Sequence, residues 1–341
     1  MQKNVIQPES IIQLAHGGGG RLSREFIQSE IVSRFGSGPL AGLPDAATLP
    51  WQHSKLVFTT DSYVVQPIEF PGGNIGDLAV HGTVNDLSVC GGLPKWLSVG
   101  LIIEEGLPLV TLRRVLDSMK KAAIDCGVMV VTGDTKVVGR GQSDGLYINT
   151  SGIGELIDGF SLTPARISEG DDVIASGNLG DHGFAVLAAR KNINISSGLK
   201  SDTAPVHRLV QALQPFAHEI KFMRDPTRGG IASVLNEIVE NRNITIRLNE
   251  TEIPFSTGVK ALSETLGIDP MHVASEGRII MICSSKVSEK ILNKWKAMPE
   301  GSSAAKIGSI LSGKGRVTIK TITGGERIVD VPRGELLPRI C

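Results

Sequence analysis

The chain has 341 residues, enough for about two domains, and its 35 Lys and Arg balance 35 Asp and Glu, which argues against a nucleic-acid surface. A hydrophobic fraction of 41% excludes overall disorder, and no apolar run approaches the ~20 residues of a membrane helix. Glycine is in excess, with 40 copies in clusters rather than at a period; this excludes collagen and repeat architectures and predicts loops where backbone approaches a ligand.

Residues 1–20 read as a flexible arm ending in His16-Gly17-Gly18-Gly19-Gly20, since consecutive glycines favour no regular structure. The run 21–35 sets Leu22, Phe26, Ile27, Ile31 and Phe35 on one helical face. Lys55 to Thr60 reads as a buried strand ending at Asp61. A helix over 76–90 turns Leu78, Val84 and Leu87 inward and stops at Gly91-Gly92. A strand follows over 96–104. Pro108 opens a helix that runs to Cys126 and stops at Gly127. Strands are expected at 128–132 and 145–154. Gly159, Pro164 and Gly170 mark a boundary, giving domains over 21–158 and 165–330. The second begins with a strand at 172–176 and a helix to about Lys191, and alternates helix and strand through Cys283. It ends in a helix over 285–298 and a hairpin of 317–322 with 327–329 around Gly324-Gly325. Residues 331–341, with two prolines and a glycine, read as an extended tail that carries Cys341.

Four cysteines, Cys90, Cys126, Cys283 and Cys341, show no zinc spacing and no small disulfide framework. With no signal-peptide core at the N-terminus, they indicate a reducing cytoplasm. The first three read as buried structural thiols. Cys341 is either a tolerated terminal residue or a thiol on a carrier arm. Gly308 to Gly315 nearly matches a phosphate-binding loop, but it lacks the final Ser or Thr and precedes a strand, so it reads as a turn. His81, His182, His207 and His218 show no metal spacing and receive no role.

Aspartates recur where strands or loops meet helices: Asp45, Asp61, Asp86, Asp134 and Asp225. Singly, each could cap a helix or turn. Together, such carboxylates repel unless a cation bridges them, and oxygen-rich sites suit magnesium. Their blocks are Thr60-Asp61-Ser62-Tyr63, Thr83-Val84-Asn85-Asp86-Leu87-Ser88, Thr132-Gly133-Asp134-Thr135-Lys136 and Arg224-Asp225-Pro226-Thr227-Arg228-Gly229-Gly230. With the polyglycine run they resemble, over nearly the whole chain, the family of aminoimidazole ribonucleotide synthetase, selenophosphate synthetase, thiamine-monophosphate kinase and the hydrogenase maturation protein HypE. The ending Pro338-Arg339-Ile340-Cys341 is the mark of the HypE branch. A selenophosphate synthetase is disfavoured, because no cysteine precedes Cys90.

The resemblance implies a two-domain ATP-binding fold, α+β or α/β, whose N-terminal domain forms a dimer barrel and whose C-terminal domain is mixed α/β. ATP and Mg2+ would lie between the domains. Asp45, Asp61, Asp86 and Asp225 become metal ligands, and Asn85, Asp134 and Lys136 line the nucleotide. Gly17, Gly18, Gly19 and Gly20 are either a linker or a lid over the terminal phosphate. Cys341, Glu276 and Lys136 become catalytic, with Glu276 as the base and His272 as the runner-up. The implied activity is ATP-dependent dehydration of a carbamoyl group on Cys341 to a thiocyanate. The implied partners are HypF, which loads the thiol, the HypC–HypD complex, which receives cyanide, and a second copy of the chain. A small-molecule kinase or synthetase of the same family, or a non-catalytic scaffold, are the alternatives.

Overall fold

The structure, a computed structural model, describes residues 11–13, 16, 25–36, 55–193, 198–331 and 340–341. Its first domain contains β1 (Leu56–Tyr63), α1 (Ile75–Val89), β2 (Gly92–Glu104), α2 (Leu109–Cys126), β3 (Met129–Val138) and β4 (Leu146–Leu156). The four strands form one sheet in the order β1-β4-β2-β3. Only β2 and β3 run parallel, and α2 is the crossover that a parallel pair requires.

Local signals place these elements. The Asn74 side chain accepts from the Gly76 N–H while Asp77 accepts from the Asn74 N–H, a reciprocal cap that starts α1. Pro108 precedes α2, and Gly127, at φ 67°, ends it. Thirteen of the fifteen residues of α1 are buried, so it is an interior helix rather than a surface one. One side packs on the first sheet and on α2, and the other meets the second domain.

The second domain is a seven-stranded mixed sheet. It contains β5 (Asp171–Ala175), α3 (Asp181–Arg190), β6 (Ile220–Arg224), α4 (His207–Gln211), α5 (Gly230–Val239), β7 (Ile244–Asn249), α6 (Thr257–Leu266), β8 (Ile280–Ser284), α7 (Ser288–Lys296), β9 (Ala305–Ser312), β10 (Arg316–Lys320) and β11 (Glu326–Val329). The strand order is β11-β10-β7-β9-β5-β8-β6, with β7 and β10 the parallel pair. Both faces of its centre are covered. Val173, Ala175, Ile280 and Ile282 pack under α5, while Ile174, Met281 and Cys283 pack under α4 and α7. The period of two is therefore hidden in continuous apolar runs. β10 and β11 pair as the expected hairpin. Among the described residues, no helix is long and apolar enough to cross a membrane.

Four expectations are corrected. The strand read as buried at 55–60 lies at a sheet edge with Leu56 and Phe58 exposed on its outward face. The helix expected over 21–35 is described from residue 25 and is wound as a π-helix over Ile27–Val32 before a last α-turn, Ser33–Phe35. Its buried Glu30 sits between Arg34 and Arg113, so a charged side chain shares the face read as apolar. The segment 308–315 is largely strand: Gly308 to Ser312 belong to β9, and only the residues after Ser312 turn. Cys126 and Cys283 are buried, their thiols pushed up to about 12 chiefly by burial, but Cys90 is exposed, because as the C-cap of α1 it lies past the packed turns.

Candidate active site

Six side chains from distant parts of the chain converge on a pocket of about 50 Å3: Asp61, Asp86, Asp225, Arg228, Glu276 and Cys341. The inward face of β1 supplies Asp61 and also Thr59, whose hydroxyl donates to Asp86 Oδ2 at 2.8 Å. Asp86 comes from α1. Asp225 and Arg228 lie in the turn between β6 and α5, and this turn requires glycine. Gly229 and Gly230 have φ of 76° and 59°, and a Cβ on Gly230 would fall 2.7 Å from the Met271 carbonyl oxygen. The Tyr63 hydroxyl, buried at the rear, lies 3.4 Å from Asp61 Oδ2 and 3.4 Å from Thr83 Oγ1.

The carboxylates are crowded. Burial first, then the charges of Asp225 and Asp61, raises Asp86 to about 7. Burial and Asp61 raise Asp225 to about 6. Glu276 is held well above the ordinary carboxylate range by burial, then by Asp225 and Asp202, and its Oε1 has no hydrogen-bond partner. Burial and the neighbouring Glu276 push the Cys341 thiol well up, against the opposing charge of Arg228. The thiol and the Glu276 carboxyl line the same pocket. This donor set of carboxylate oxygens, which repel one another and include one orphaned atom, fits a hard divalent cation such as magnesium. Among the described residues, no three Asp, Glu, His or Cys side chains are drawn tightly enough together to form a ready coordination sphere.

Glu276 is placed by its backbone. Its N–H donates to Asp202 Oδ1 at 3.0 Å, and its carbonyl accepts from Asn85 Nδ2 at 2.8 Å. Asp202 is buried and lies 3.6 Å from the Arg278 guanidinium. Gly277 allows this approach, since a Cβ there would fall 2.0 Å from the Asp202 carbonyl oxygen. Ile340 and Cys341 lie inside the cleft. The Ile340 side chain is buried with Val186 and Ala274, and its carbonyl accepts from His182 Nε2 at 2.7 Å.

The structure gathers Asp61, Asp86, Asp225, Glu276 and Cys341, five of the residues that the family resemblance implies for the site. Asp45 and Gly17 to Gly20 lie outside the described residues. Asn85, expected at the nucleotide, is fully buried and uses both N–H donors on the carbonyls of Ala204 and Glu276, while its oxygen accepts from the Val206 N–H. In this structure it clamps the two domains. Asp134 and Lys136 stand exposed on β3, 3.6 Å apart. The cross-strand row Ser62–Asn149–Gly100–Asp134 puts them at the opposite sheet edge from β1. By strand spacing that is about 14 Å away, so within one chain they do not join the pocket. His272 does not line it. Sequence reasoning missed Arg228, Asp202 and His182 as site residues. Arg228 lay within a quoted block, but His182 and Asp202 gave no signal, because their partners are distant in sequence.

Residues 44–156 match the family model of the AIR synthase related protein N-terminal domain, and residues 168–320 that of its C-terminal domain. The carbamoyl dehydratase HypE of Bradyrhizobium diazoefficiens is 44% identical over 97% of this chain and 96% of its own length. A crystal structure of the hydrogenase maturation protein HypE in complex with ATP superposes with a TM-score of 0.92 at 42% identity, covering 96% of this chain and 99% of that one. HypE in a HypE–HypF complex superposes with a TM-score of 0.79 at 41% identity, covering 92% of this chain and 100% of that one.

Proposed function

The chain belongs to the AIR synthase related family and, within it, to the HypE carbamoyl dehydratases of hydrogenase maturation, and we propose that Cys341 carries the carbamoyl group that is dehydrated at the expense of ATP. The observation that carries this reading is the thiol of Cys341 held against Glu276 in a pocket of carboxylates with one arginine.

The reaction starts from a thiocarboxamide on Cys341. Its amide oxygen attacks the γ-phosphorus of ATP and ADP leaves; one N–H proton is lost as the nitrogen becomes an imine. The second proton is lost as the C–O bond breaks, releasing phosphate with the former amide oxygen and leaving a thiocyanate on sulfur. Phosphorylation matters because the amide oxygen is a poor leaving group. Glu276 is the proposed base for these protons. Burial and neighbouring carboxylates make it a stronger base than an exposed glutamate. Arg228 offsets negative charge beside the sulfur. Asp61, Asp86 and Asp225 would hold Mg2+, which supplies charge neutralisation for phosphoryl transfer when bound. A dry cleft closed over the folded tail would keep water from the activated amide.

A homodimer completes this picture. The outward face of the first sheet carries the cross-strand row Phe58–Ile153–Trp96–Met129, in which Phe58 is 65% exposed. An apolar row of this kind suits burial against a second copy. Asp134 and Lys136 stand on the same strand face as Met129 and would reach the nucleotide of the partner subunit. Gly17 to Gly20 and Asp45 are assigned by resemblance to the phosphate lid and the metal. HypF, which the crystallised HypE relative binds, is proposed to load the thiol, and a HypC–HypD complex to accept the cyanide.

The test is the mass of the C-terminal peptide after incubation with HypF, carbamoyl phosphate and ATP. It should gain one carbamoyl group, then lose one water as ATP turns over. Carbamoylation that persists elsewhere on the protein in Cys341→Ala would overturn the carrier role.

A further inference from the structure

His182 has no role in the chemistry above, yet it is fully buried, in the first turn of α3, and both ring nitrogens are engaged. Nε2 lies 2.7 Å from the Ile340 carbonyl oxygen, and Nδ1 lies 2.7 Å from Ser201 Oγ. A carbonyl only accepts, so Nε2 carries the proton. Nδ1 of the neutral ring must then accept from the Ser201 hydroxyl. Ser201 Oγ in turn accepts from the Thr203 N–H at 3.0 Å. The chain of donors therefore runs in one direction, from Thr203 through Ser201 and His182 to the main chain of the residue before Cys341. Phe70 and the imidazole form a T-shaped contact, with ring centroids 5.4 Å and planes 89° apart.

The neighbouring contacts are shaped for the same segment. The Ile340 side chain is buried with Val186 and Ala274. A Cβ on Gly183 would come within 3.4 Å of Ile340 Cδ1 and 2.5 Å of Val273 Cγ1, so the glycine keeps this slot open. Asp202 ties the grip to the chemistry. Its carboxylate accepts the backbone N–H of Glu276 at 3.0 Å, and it stands in the chain between Ser201 and Thr203, the two residues behind the His182 ring. The short segment 201–203 therefore supports both the ring that holds the tail, through Ser201, and the carboxyl beside the thiol, through Asp202.

We propose that His182 is a positioning residue: it grips the main-chain carbonyl of Ile340, and with the aliphatic slot beside it docks the terminal dipeptide so that the Cys341 sulfur meets Glu276. The recognition reads a main-chain carbonyl and a branched aliphatic side chain, not the thiol, so it suits the tail whatever group the sulfur carries. That docking serves dehydration rests on the function proposed above; the docking itself does not.

The test uses the full-length protein, alkylated with iodoacetamide and digested, with Cys341 and Cys90 followed in separate peptides. His182→Phe and Ile340→Ala should each speed Cys341 alkylation about five- to tenfold, the worth of one lost hydrogen bond or its packing, and leave Cys90 unchanged. His182→Gln, which restores an N–H donor, should recover most of the protection. In turnover, His182→Phe should lower kcat by a similar factor at an unchanged KM for ATP. Unlabelled Cys126 reports an intact core; if His182→Phe exposes it, Ile340→Ala decides, since its change lies in the tail. Parent-like Cys341 alkylation in Ile340→Ala, or in an intact His182→Phe, overturns the docking, as does a His182→Gln that behaves like His182→Phe. Deprotection of Cys341 together with carbamoylation found on another residue upholds the docking and overturns the functional reading.

Discussion

Replacing Asn85 with alanine separates its two possible uses. The side chain makes three hydrogen bonds across the domain junction: to the carbonyls of Ala204 at 3.0 Å and Glu276 at 2.8 Å, and from the Val206 N–H at 2.8 Å. Asn85→Ala strands all three partners in a buried place, at about 1–3 kcal/mol each. Water entering the vacated space keeps the total near the low end, about 3 kcal/mol. For a domain of this size that is a fall in Tm of about 6–12 °C. Hydrogen exchange gives the more local readout. The Val206 amide loses its only acceptor, and its exchange should quicken about 5- to 150-fold, while amides in the centre of β5 follow only the global change. Glu276 also loses one of its two backbone anchors, so turnover should fall. If Asn85→Ala keeps the parent Tm and the parent Val206 exchange but binds ATP more weakly, the domain-clamp account is refuted and Asn85 serves the nucleotide.

Three further outcomes are expected. Gly277→Ala puts a methyl 2.0 Å from the Asp202 carbonyl oxygen and 2.9 Å from the Ala204 nitrogen, both backbone, and should cost at least about 1–3 kcal/mol in thermal unfolding; a Tm within a degree of the parent would contradict that contact. Phe58→Asp should convert a dimer to a monomer by light scattering, because a charge would replace the most exposed ring of the apolar sheet row; an unchanged molar mass would remove that face from the interface. Burial lowers His182 to about 4 from an ordinary value near 6.5, outweighing the Ile340 carbonyl, whose bond favours the charged ring; the docked tail adds to that burial, so the docked state favours the neutral ring. Docking of the tail should therefore be complete above pH 6.5 and weaken as the pH falls towards 4. Carboxypeptidase release of Cys341 should then be faster at pH 5.5 than at 7 in the parent, relative to a control peptide, and lose that difference in His182→Gln; equal pH dependence in both would contradict it.

Much of the architecture was legible locally. The reciprocal cap at Asn74 and Asp77, Pro108 before α2 and Gly127 after it, and the hairpin around Gly324-Gly325 are each set by neighbours within a few residues. The gathering of Asp61, Asp86, Asp225, Glu276 and Cys341 was legible only through the family resemblance of the short blocks that carry them; singly, each aspartate read equally as a cap.

The sequence by itself determined the inventory: which segments become helix or strand, and which carboxylates and thiol are available to the chemistry. Only the tertiary structure decided which side chains those groups face. Asn85 became a domain clamp because Ala204, Val206 and Glu276 bring main-chain partners to it from the other domain. His182 became the grip on the tail because Ile340, 158 residues away, meets it in space. Asp134 and Lys136 parted from the pocket because β4 and β2 lie between their strand and β1. A local pattern records what a residue can do. Hydrogen-bond partners, burial and shifted proton affinities arise from contacts between distant segments, and those exist only once the chain has folded.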